Sequence, residues 1–149
     1  MARIYSFVQK ERREYKENLI LLDNGDILQG QPTAYYYNYI DTVSPHLCAE
    51  IMNYMKYDAG NMGNHDVETG RAVFDRWADD CKFPILGANI IDTATGETHF
   101  KPYEVLERDG ALLLQYRGEI RASRTNGTEK TIRHRNQNDL FLSLIHISE

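Results

Sequence analysis

The chain has 149 residues, of which 42% are hydrophobic and 26% charged, with a formal net charge of −5. This composition is ordinary for a globular protein, and the length is sufficient for one domain with a hydrophobic core. The acidic balance argues against a protein whose whole surface binds nucleic acid. No apolar run approaches the roughly 20 residues of a membrane-spanning helix. Cys48 and Cys81 have no metal-binding or redox spacing and are expected to be free, buried thiols.

The first quarter of the chain predicts a helix followed by a buried strand. Residues 3–17 combine an apolar stripe with many charged residues, as an amphipathic helix does. The apolar run 19–22 is typical of a strand covered on both faces. It ends at Asp23-Asn24-Gly25-Asp26, at the carboxyl end of the strand, where open α/β sheets bind ligands. Asn24-Gly25 could form a hairpin turn, but residues 27–32 make a poor second strand because they contain glycine and proline.

The middle of the chain contains an aromatic cluster and then a helical pattern. The cluster is Tyr35, Tyr36, Tyr37 and Tyr39, for which we expect packing, although stacking on a nucleobase is the chemical alternative. Ser44-Pro45 predicts a helix start, and the apolar spacing continues the helix to about Lys56. Residues 57–60 predict a short strand.

A second polar cluster follows that strand, at Gly60-Asn61-Met62-Gly63-Asn64-His65-Asp66-Val67-Glu68. Glycine allows a close approach of backbone to a ligand. Carboxylate, amide and imidazole groups can bind metal ions, and an imidazole can also transfer a proton. A connecting loop needs turn-forming residues but not a histidine flanked by an amide and two acids. The alternative interpretation of His65 is a structural histidine in a loop. The functional interpretation requires that this loop meets the loop at residues 23–26.

The remaining elements complete an α/β pattern. Residues 73–81 predict an amphipathic helix and residues 83–91 a strand. Residues 103–106 and 112–114, joined at Asp109-Gly110, predict a hairpin. Helices and strands that alternate, with short polar loops between them, indicate the α/β class.

Residues 117–149 differ in composition from the rest. They carry 6 Lys/Arg against 4 Asp/Glu, whereas residues 1–116 carry 11 against 18. From Arg117 to Asn138 few large apolar residues occur, so we expect this tail to be disordered or aberrant, and the domain to end at residue 116. A basic tail could contact DNA or RNA, but without interleaved aromatic residues a nucleic-acid partner is not expected.

Two motifs resemble the metallophosphatase domain of the 5′-nucleotidase family, among the calcineurin-like metallophosphoesterases. Leu21-Leu22-Asp23-Asn24-Gly25-Asp26 with Gly30 resembles the second block of that family, and Gly63-Asn64-His65-Asp66 resembles the third. The family also has an upstream DxH block and a downstream GHxH block, which have no match here. The resemblance extends over about residues 3–110, as part of an αββα sandwich that is shortened at both ends.

The resemblance implies a role for each of several residues. Asp26 matches a metal ligand that bridges two divalent ions (Mn, Zn, Mg or Fe), and Asn64 matches a ligand of one ion that also binds the substrate. His65 matches the catalytic histidine that contacts the phosphoryl group of the substrate. Glu68 matches the carboxylate that orients this histidine, with Asp66 as the second choice.

The function implied is metal-dependent hydrolysis of a nucleotide or another phosphomonoester, with this chain expected to be inactive by itself. A 2′,3′-cyclic-nucleotide phosphodiesterase, a UDP-sugar hydrolase and a non-catalytic α/β piece with a basic tail are the alternatives. Proteins of this family are often periplasmic or extracellular. The sequence leaves location and oligomeric state undefined.

Overall fold

The computed structural model describes residues 2–108 and the backbone of four later strands. Its helices are α1 (Ala2–Tyr15), α2 (Pro32–Tyr35), α3 (Leu47–Met55), α4 (Asn64–Val67) and α5 (Arg71–Asp80). A π-helical turn, Tyr36–Ile40, continues α2. The strands are β1 (Leu19–Asp23), β2 (Ala59–Asn61), β3 (Ile85–Leu86), β4 (Glu104–Arg108), β5 (Ala111–Tyr116), β6 (Glu119–Arg124), β7 (Glu129–Ile132) and β8 (Ser143–His146).

The described strands form two four-stranded sheets. In the first, with strand order β3-β2-β1-β8, the strands β1, β2 and β3 run parallel and β8 runs antiparallel to β1. The second sheet, β4-β5-β6-β7, is antiparallel throughout. The parallel strands are linked by helices, as parallel pairing requires a crossover connection. The predicted α/β class is therefore confirmed.

Strand β1 is buried on both faces, as its apolar run predicts. Leu19 and Leu21 belong to the larger core, in which residues of α1, α3 and α5 pack on the first sheet. Ile20 and Leu22 face the other way and contact Ala59, Leu86 and the partly buried Leu106 of β4. Alternate residues of one strand therefore fill two cores. Because both faces of β1 are packed, the position of the polar loop at its carboxyl end, residues 23–26, is fixed.

The interpretation of Asn24-Gly25 as a hairpin turn is excluded, because the next strand beside β1 is β2, in parallel register with Leu22 opposite Ala59. The predicted hairpin farther along is confirmed, since β4 and β5 pair antiparallel. Its turn, residues 109–110, lies outside the described residues.

Two predicted boundaries are wrong. Helix α3 begins at Leu47, with His46 rather than Ser44 at its N-cap, because the His46 side chain accepts a hydrogen bond from the Cys48 N–H. The Ser44 N–H is bound by the Asp41 carboxylate at 3.0 Å, in a turn before the helix. The predicted strand 83–91 is reduced to Ile85–Leu86. The chain turns there, with a hydrogen bond from the Ile90 N–H to the Gly87 carbonyl.

The predicted tail, residues 117–149, contains the backbone of β6, β7 and β8, and its other residues lie outside the described part of the chain. The boundary at residue 116 and the disorder of the tail stay predictions. Cys48 and Cys81 are free thiols, each partly rather than fully buried. Among the described residues, no helix combines the length and apolar character needed to cross a bilayer.

Candidate phosphoester site

The loops that follow β1 and β2 touch each other. A Cβ atom on Gly25 would lie 2.6 Å from the Gly63 nitrogen, and one on Gly63 would lie 2.2 Å from Asp26 Oδ1. Real side chains do not approach so closely, so both positions require glycine. Asp26 Oδ1 also accepts a hydrogen bond from the His65 N–H at 3.0 Å. The structure therefore brings together the two polar clusters that the sequence places 40 residues apart.

A buried carboxylate, Asp66, holds these loops in place. Its Oδ2 accepts from the backbone N–H groups of Asp26, at 2.7 Å, and Gly63, at 2.9 Å, while its Oδ1 accepts from the Leu28 N–H at 2.8 Å. Burial raises the pKa of Asp66, and the three N–H donors oppose that shift because they favour the ionised form. One side chain therefore fixes the relative position of both loops, including Asp26 in its left-handed conformation at φ 66°.

His65 and Glu68 form an exposed pair beside this frame. Helix α4 places them three residues apart on one face, and His65 Nδ1 lies 2.9 Å from Glu68 Oε2. The hydrogen bond and the charge of Glu68 raise the pKa of His65, and the same bond lowers the pKa of Glu68. The side chains remain 50% and 56% exposed, so the second nitrogen of His65 can reach a ligand from solvent.

Asn64 lies next to both groups. It is exposed at the start of α4, between Gly63, which packs on the Asp26 carboxylate, and His65, whose N–H binds that carboxylate. The Asn64 amide also helps to lower the pKa of Glu68. Of its two polar side-chain atoms, only the amide oxygen could bind a cation.

Further polar groups line the ends of β1 and β2. Asp23 accepts from the Gly25 N–H at 3.0 Å, and its burial, helped by the charges of Asp66 and Asp26, raises its pKa to about 7. Asn61 donates to Asn24 Oδ1 at 3.3 Å, and its own side-chain oxygen is buried with no protein partner. The carboxyl end of the sheet therefore carries more oxygen atoms than the resemblance assigns.

The structure brings all four predicted site residues, Asp26, Asn64, His65 and Glu68, to one end of the sheet; their individual roles stay predictions. Sequence reasoning missed the scaffolding contacts of Asp66, and also Gln29, which donates to Glu68 at 3.3 Å. A signal for Asp66 exists, because an acid three residues after a helix N-cap commonly binds the N-cap N–H. No local pattern indicates its bonds to Asp26 and Leu28, since these depend on tertiary structure.

Comparison with known proteins agrees with this geometry. No protein-family profile matches the chain. The trifunctional nucleotide phosphoesterase protein YfkN of Bacillus subtilis is 38% identical over 114 residues, which are 72% of this chain and 8% of YfkN. A 2′,3′-cyclic-nucleotide 2′-phosphodiesterase/3′-nucleotidase of Yersinia enterocolitica is 32% identical, over 74% of this chain and 18% of that protein. The 5′-nucleotidase of Rattus norvegicus is 34% identical, over 76% of this chain and 19% of that protein.

A solved structure shares the fold. The calcineurin-like phosphoesterase YfkN from Bacillus subtilis superposes with a TM-score of 0.63 at 31% identity, covering 89% of this chain and 37% of the solved one. The chain spans less than a fifth of the length of the curated relatives named above. The chain belongs to the calcineurin-like phosphoesterases related to the 5′-nucleotidases, and it covers a part of their length.

Proposed function

We propose that this chain is part of a metal-dependent phosphoesterase that hydrolyses phosphate esters of nucleotides, of the 5′-nucleotidase type. The observation that carries the proposal is the contact between the two loops at the carboxyl ends of β1 and β2. There the Asp26 carboxylate is enclosed by Gly63 and the His65 N–H. This contact puts an oxygen ligand, an amide and an imidazole at one point on the surface.

The residues at this point fit divalent metal ions in kind. Carboxylate and amide oxygens are ligands for Mn²⁺, Mg²⁺, Zn²⁺ or Fe²⁺. Asp26 and Asn64 would hold these ions. Gly63 supports the fit, because a side chain there would occupy the space against the Asp26 carboxylate. Within the described residues no three His, Cys, Asp or Glu side chains form a metal-binding group, so these two residues would supply part of the coordination.

The bound ions would supply an activated water and positive charge next to phosphorus. His65 would act on the substrate directly. With Nδ1 bound to Glu68, the protonated ring presents Nε2–H, which can donate to a phosphoryl oxygen and neutralise the charge that develops there. Glu68 would keep the ring in that orientation, helped by the hydrogen bond from Gln29. Asp66 would keep His65 at a fixed position relative to Asp26.

The test is turnover of p-nitrophenyl phosphate by the whole chain at high protein concentration, with and without Mn²⁺. Any turnover by this part of the enzyme should be weak, should require the metal, and should fall about 100-fold or more in the His65→Ala variant, which lacks the proton donor. His99→Ala is the matched control. His99 Nε2 also lies 2.6 Å from a carboxylate, that of Asp75, but Asp75 is on α5 and not in the two loops of the site. Equal losses in both variants, or turnover that resists a chelator, would contradict the proposal.

Different substrates separate the alternatives. Faster release of phosphate from a nucleoside 5′-phosphate than from a 2′,3′-cyclic nucleotide or a UDP-sugar would identify the 5′-nucleotidase type. No turnover of any of them by the wild-type chain, together with nucleic-acid binding that falls with salt, would favour the non-catalytic alternative for this chain. A periplasmic or extracellular location is the expectation that follows from the family resemblance.

A further inference from the structure

His46 is a fully buried histidine that makes hydrogen bonds to three separate elements. Its ring Nδ1 accepts from the Cys48 N–H at 3.2 Å and caps α3. Its ring Nε2 lies 2.8 Å from the side-chain oxygen of Asn38, in the π-helical turn that continues α2. Its backbone N–H donates at 2.7 Å to Asp80, the last residue of α5. Capping a helix accounts for only one of these three contacts.

The hydrogen bonds of the His46 ring define its protonation. Because Nδ1 accepts a hydrogen bond, the proton of the neutral ring lies on Nε2 and is donated to Asn38. Burial and the charge of Arg76 lower the pKa of His46 to about 4, and the charge of Asp80 opposes this shift. The ring is therefore neutral near pH 7, with one nitrogen that caps α3 and another that donates to Asn38.

Asn38 is buried as well, and it connects His46 to the loop that follows β1. Its side-chain nitrogen donates to the Leu28 carbonyl at 2.8 Å, while its oxygen accepts from His46. If the amide turned over, two donors would face each other at His46 and two acceptors would face each other at Leu28. The Nε2–H group of His46 therefore fixes the orientation in which Asn38 binds Leu28.

The loop after β1 is held at Leu28 from two sides. The Leu28 carbonyl binds Asn38, and the Leu28 N–H donates to Asp66 Oδ1 at 2.8 Å. Asp66 Oδ2 in turn accepts from the Asp26 N–H at 2.7 Å. The side chains of His46, Asn38 and Asp66 are all buried. A continuous series of hydrogen bonds therefore leads from His46 through the interior to the backbone of Asp26.

We propose that His46 is a positioning residue for the phosphoester site, acting through Asn38 and Asp66 on the backbone of Asp26. The inference rests on the proposed function and adds residues to which the family resemblance gives no role. A buried polar series holds a segment rigidly only when every group in it is paired. Without the Nε2–H donor, the Asn38 amide is free to turn and release the Leu28 carbonyl. The loop that carries Asp26 would then be held from one side only.

Two substitutions of His46 separate the roles of its two nitrogens. In His46→Asn, the shorter amide can place its oxygen near the position of Nδ1 and still cap α3, but the donor to Asn38 is lost. In His46→Gln, the longer amide can place its nitrogen near the position of Nε2 and still donate to Asn38, but the cap is lost. We expect both variants to unfold at lower urea concentration than the wild type. Only His46→Asn should disturb the loop at Asp26.

Amide hydrogen exchange of the whole chain without metal, followed by NMR, reports how firmly the loop is held. Exchange at the Leu28 and Asp26 N–H groups is compared with exchange in the buried strand β1, which reports unfolding of the whole domain. Relative to β1, both groups should exchange about fivefold faster or more in His46→Asn, because a lost hydrogen bond eases local opening. In His46→Gln they should match the wild type. Equal rates in the two variants would assign His46 to capping alone and overturn the inference.

Two asparagine variants check this result. Asn38→Ala removes the contact with the Leu28 carbonyl directly and should speed exchange at Leu28 by about fivefold or more. Asn53→Ala is the matched control, because the Asn53 side chain also makes two hydrogen bonds, but near the end of α3. It donates to the Asp80 carbonyl at 2.8 Å and accepts from the Lys82 N–H at 2.7 Å. Equally fast exchange at Leu28 in both variants would contradict a specific series of contacts.

Turnover of p-nitrophenyl phosphate with Mn²⁺, corrected for the folded fraction, measures the effect on the site. We expect kcat to fall about tenfold or more in His46→Asn, since a displacement of about 1 Å can cost roughly 100-fold in rate. His46→Gln should restore most of the wild-type kcat. A normal kcat in His46→Asn would overturn the inference and leave the proposed function standing. Faster exchange in His46→Asn, without turnover by the wild type, would support the positioning of Asp26 and contradict the proposed function.

Discussion

At each end of the parallel strands a carboxylate accepts hydrogen bonds from protein donors, but the two ends present different surfaces. At the carboxyl end, Asp66 accepts three backbone N–H groups from two loops. At the amino end, Asp58 accepts from the Leu21 N–H at 2.8 Å and pairs with the Arg108 guanidinium at 2.6 Å. Each carboxylate is compensated by donors, which is the condition for burying a charge. Neither carboxylate is by itself a sign of function.

The difference lies in what surrounds each carboxylate. At the amino end the arginines bind protein groups, since Arg12 donates to the Lys56 carbonyl at 2.8 Å and Arg108 donates to the Glu107 carbonyl at 2.8 Å. At the carboxyl end Asn64, His65 and Glu68 are exposed, next to the backbone that Asp66 binds. Exposed polar side chains are therefore the feature that marks the candidate site. A carboxylate bound to backbone N–H groups occurs at both ends of the strands.

The largest effect is expected from Asp66→Ala. Three backbone N–H groups would lose a charged acceptor, which should lower the free energy of unfolding by about 3–5 kcal/mol. Asp66→Asn, which keeps one acceptor oxygen, should lose less. Urea denaturation measures both, with the exposed Asp79→Ala as a control that should change little. A loss in Asp66→Ala no larger than in Asp79→Ala would contradict the role of Asp66 as the link between the loops.

A smaller loss, about 2–3 kcal/mol, is expected from Asp58→Ala, because the Leu21 N–H and Arg108 lose their acceptor. The comparison becomes sharper when stability and turnover are measured together. Asp58→Ala should leave the turnover of the folded fraction unchanged, whereas Asp66→Ala should reduce it because His65 is displaced from Asp26. Equal losses of turnover in the two variants would show that the two ends of the sheet do not differ in function.

Local sequence patterns predicted most of the helices and strands, and they pointed to the residues that the structure brings together at one end of the sheet. The apolar run 19–22 predicted a strand buried on both faces, and the glycines and polar residues after it marked a ligand-binding edge. What could not be predicted rests on contacts between distant residues. Asp66 reaches Asp26 and Leu28 across 40 and 38 positions of sequence. The start of α3 depends likewise on His46, whose N–H is bound by Asp80 at 2.7 Å.

The tyrosine cluster shows a second limit. Four tyrosines in five positions predict packing on average, because aromatic side chains are mostly buried. Here Asn38 takes the buried position, whereas Tyr35, Tyr36 and Tyr39 are exposed. Asparagine is rarely buried, and it is buried here because its amide satisfies both the Leu28 carbonyl and His46. A sequence pattern that counts only hydrophobicity cannot identify such an exchange.

The buried His46 is hydrogen-bonded to Asn38, which in turn binds the Leu28 carbonyl. We expect this histidine to make the stability depend on pH. Its Nε2–H donates to Asn38 and its Nδ1 accepts from the Cys48 N–H, which requires the neutral ring. Burial lowers the pKa of His46 to about 4. The unfolded chain, with a pKa near 6.5, therefore binds this proton first, and stability falls as the pH drops from 6.5 towards 4. At pH 4.5 the loss from His46 alone should be about 2.5 kcal/mol.

Urea denaturation between pH 7.5 and 4.5 measures this loss. His46→Asn is the matched variant, because asparagine also caps helices but does not titrate. It should be less stable at pH 7.5 and should depend less on pH below 6.5. A slope equal to that of the wild type would assign the acid sensitivity to groups other than His46. Asp23 is not one of them, because its raised pKa makes its own contribution to stability increase as the pH falls. NMR titration of the His46 ring would then report a pKa near that of an exposed histidine.

The smallest change, one methyl group at Gly63, tests the contact on which the proposed site depends. A Cβ atom there would lie 2.2 Å from Asp26 Oδ1 and 2.5 Å from the Asp26 nitrogen, so the two loops must separate. The expected loss of unfolding free energy is about 1–2 kcal/mol, as in other overpacked sites. Gly96→Ala is the control, because that glycine has a positive φ of 75° and a Cβ atom on it would meet no other atom within 4 Å. Its loss, about 1 kcal/mol, would come from the backbone alone.

Stability should therefore hardly distinguish the two variants, whereas metal-dependent turnover should fall only in Gly63→Ala. A Gly63→Ala variant with normal turnover would show that the loops need not touch for the site to work, and the difference between the two ends of the sheet would then need another cause.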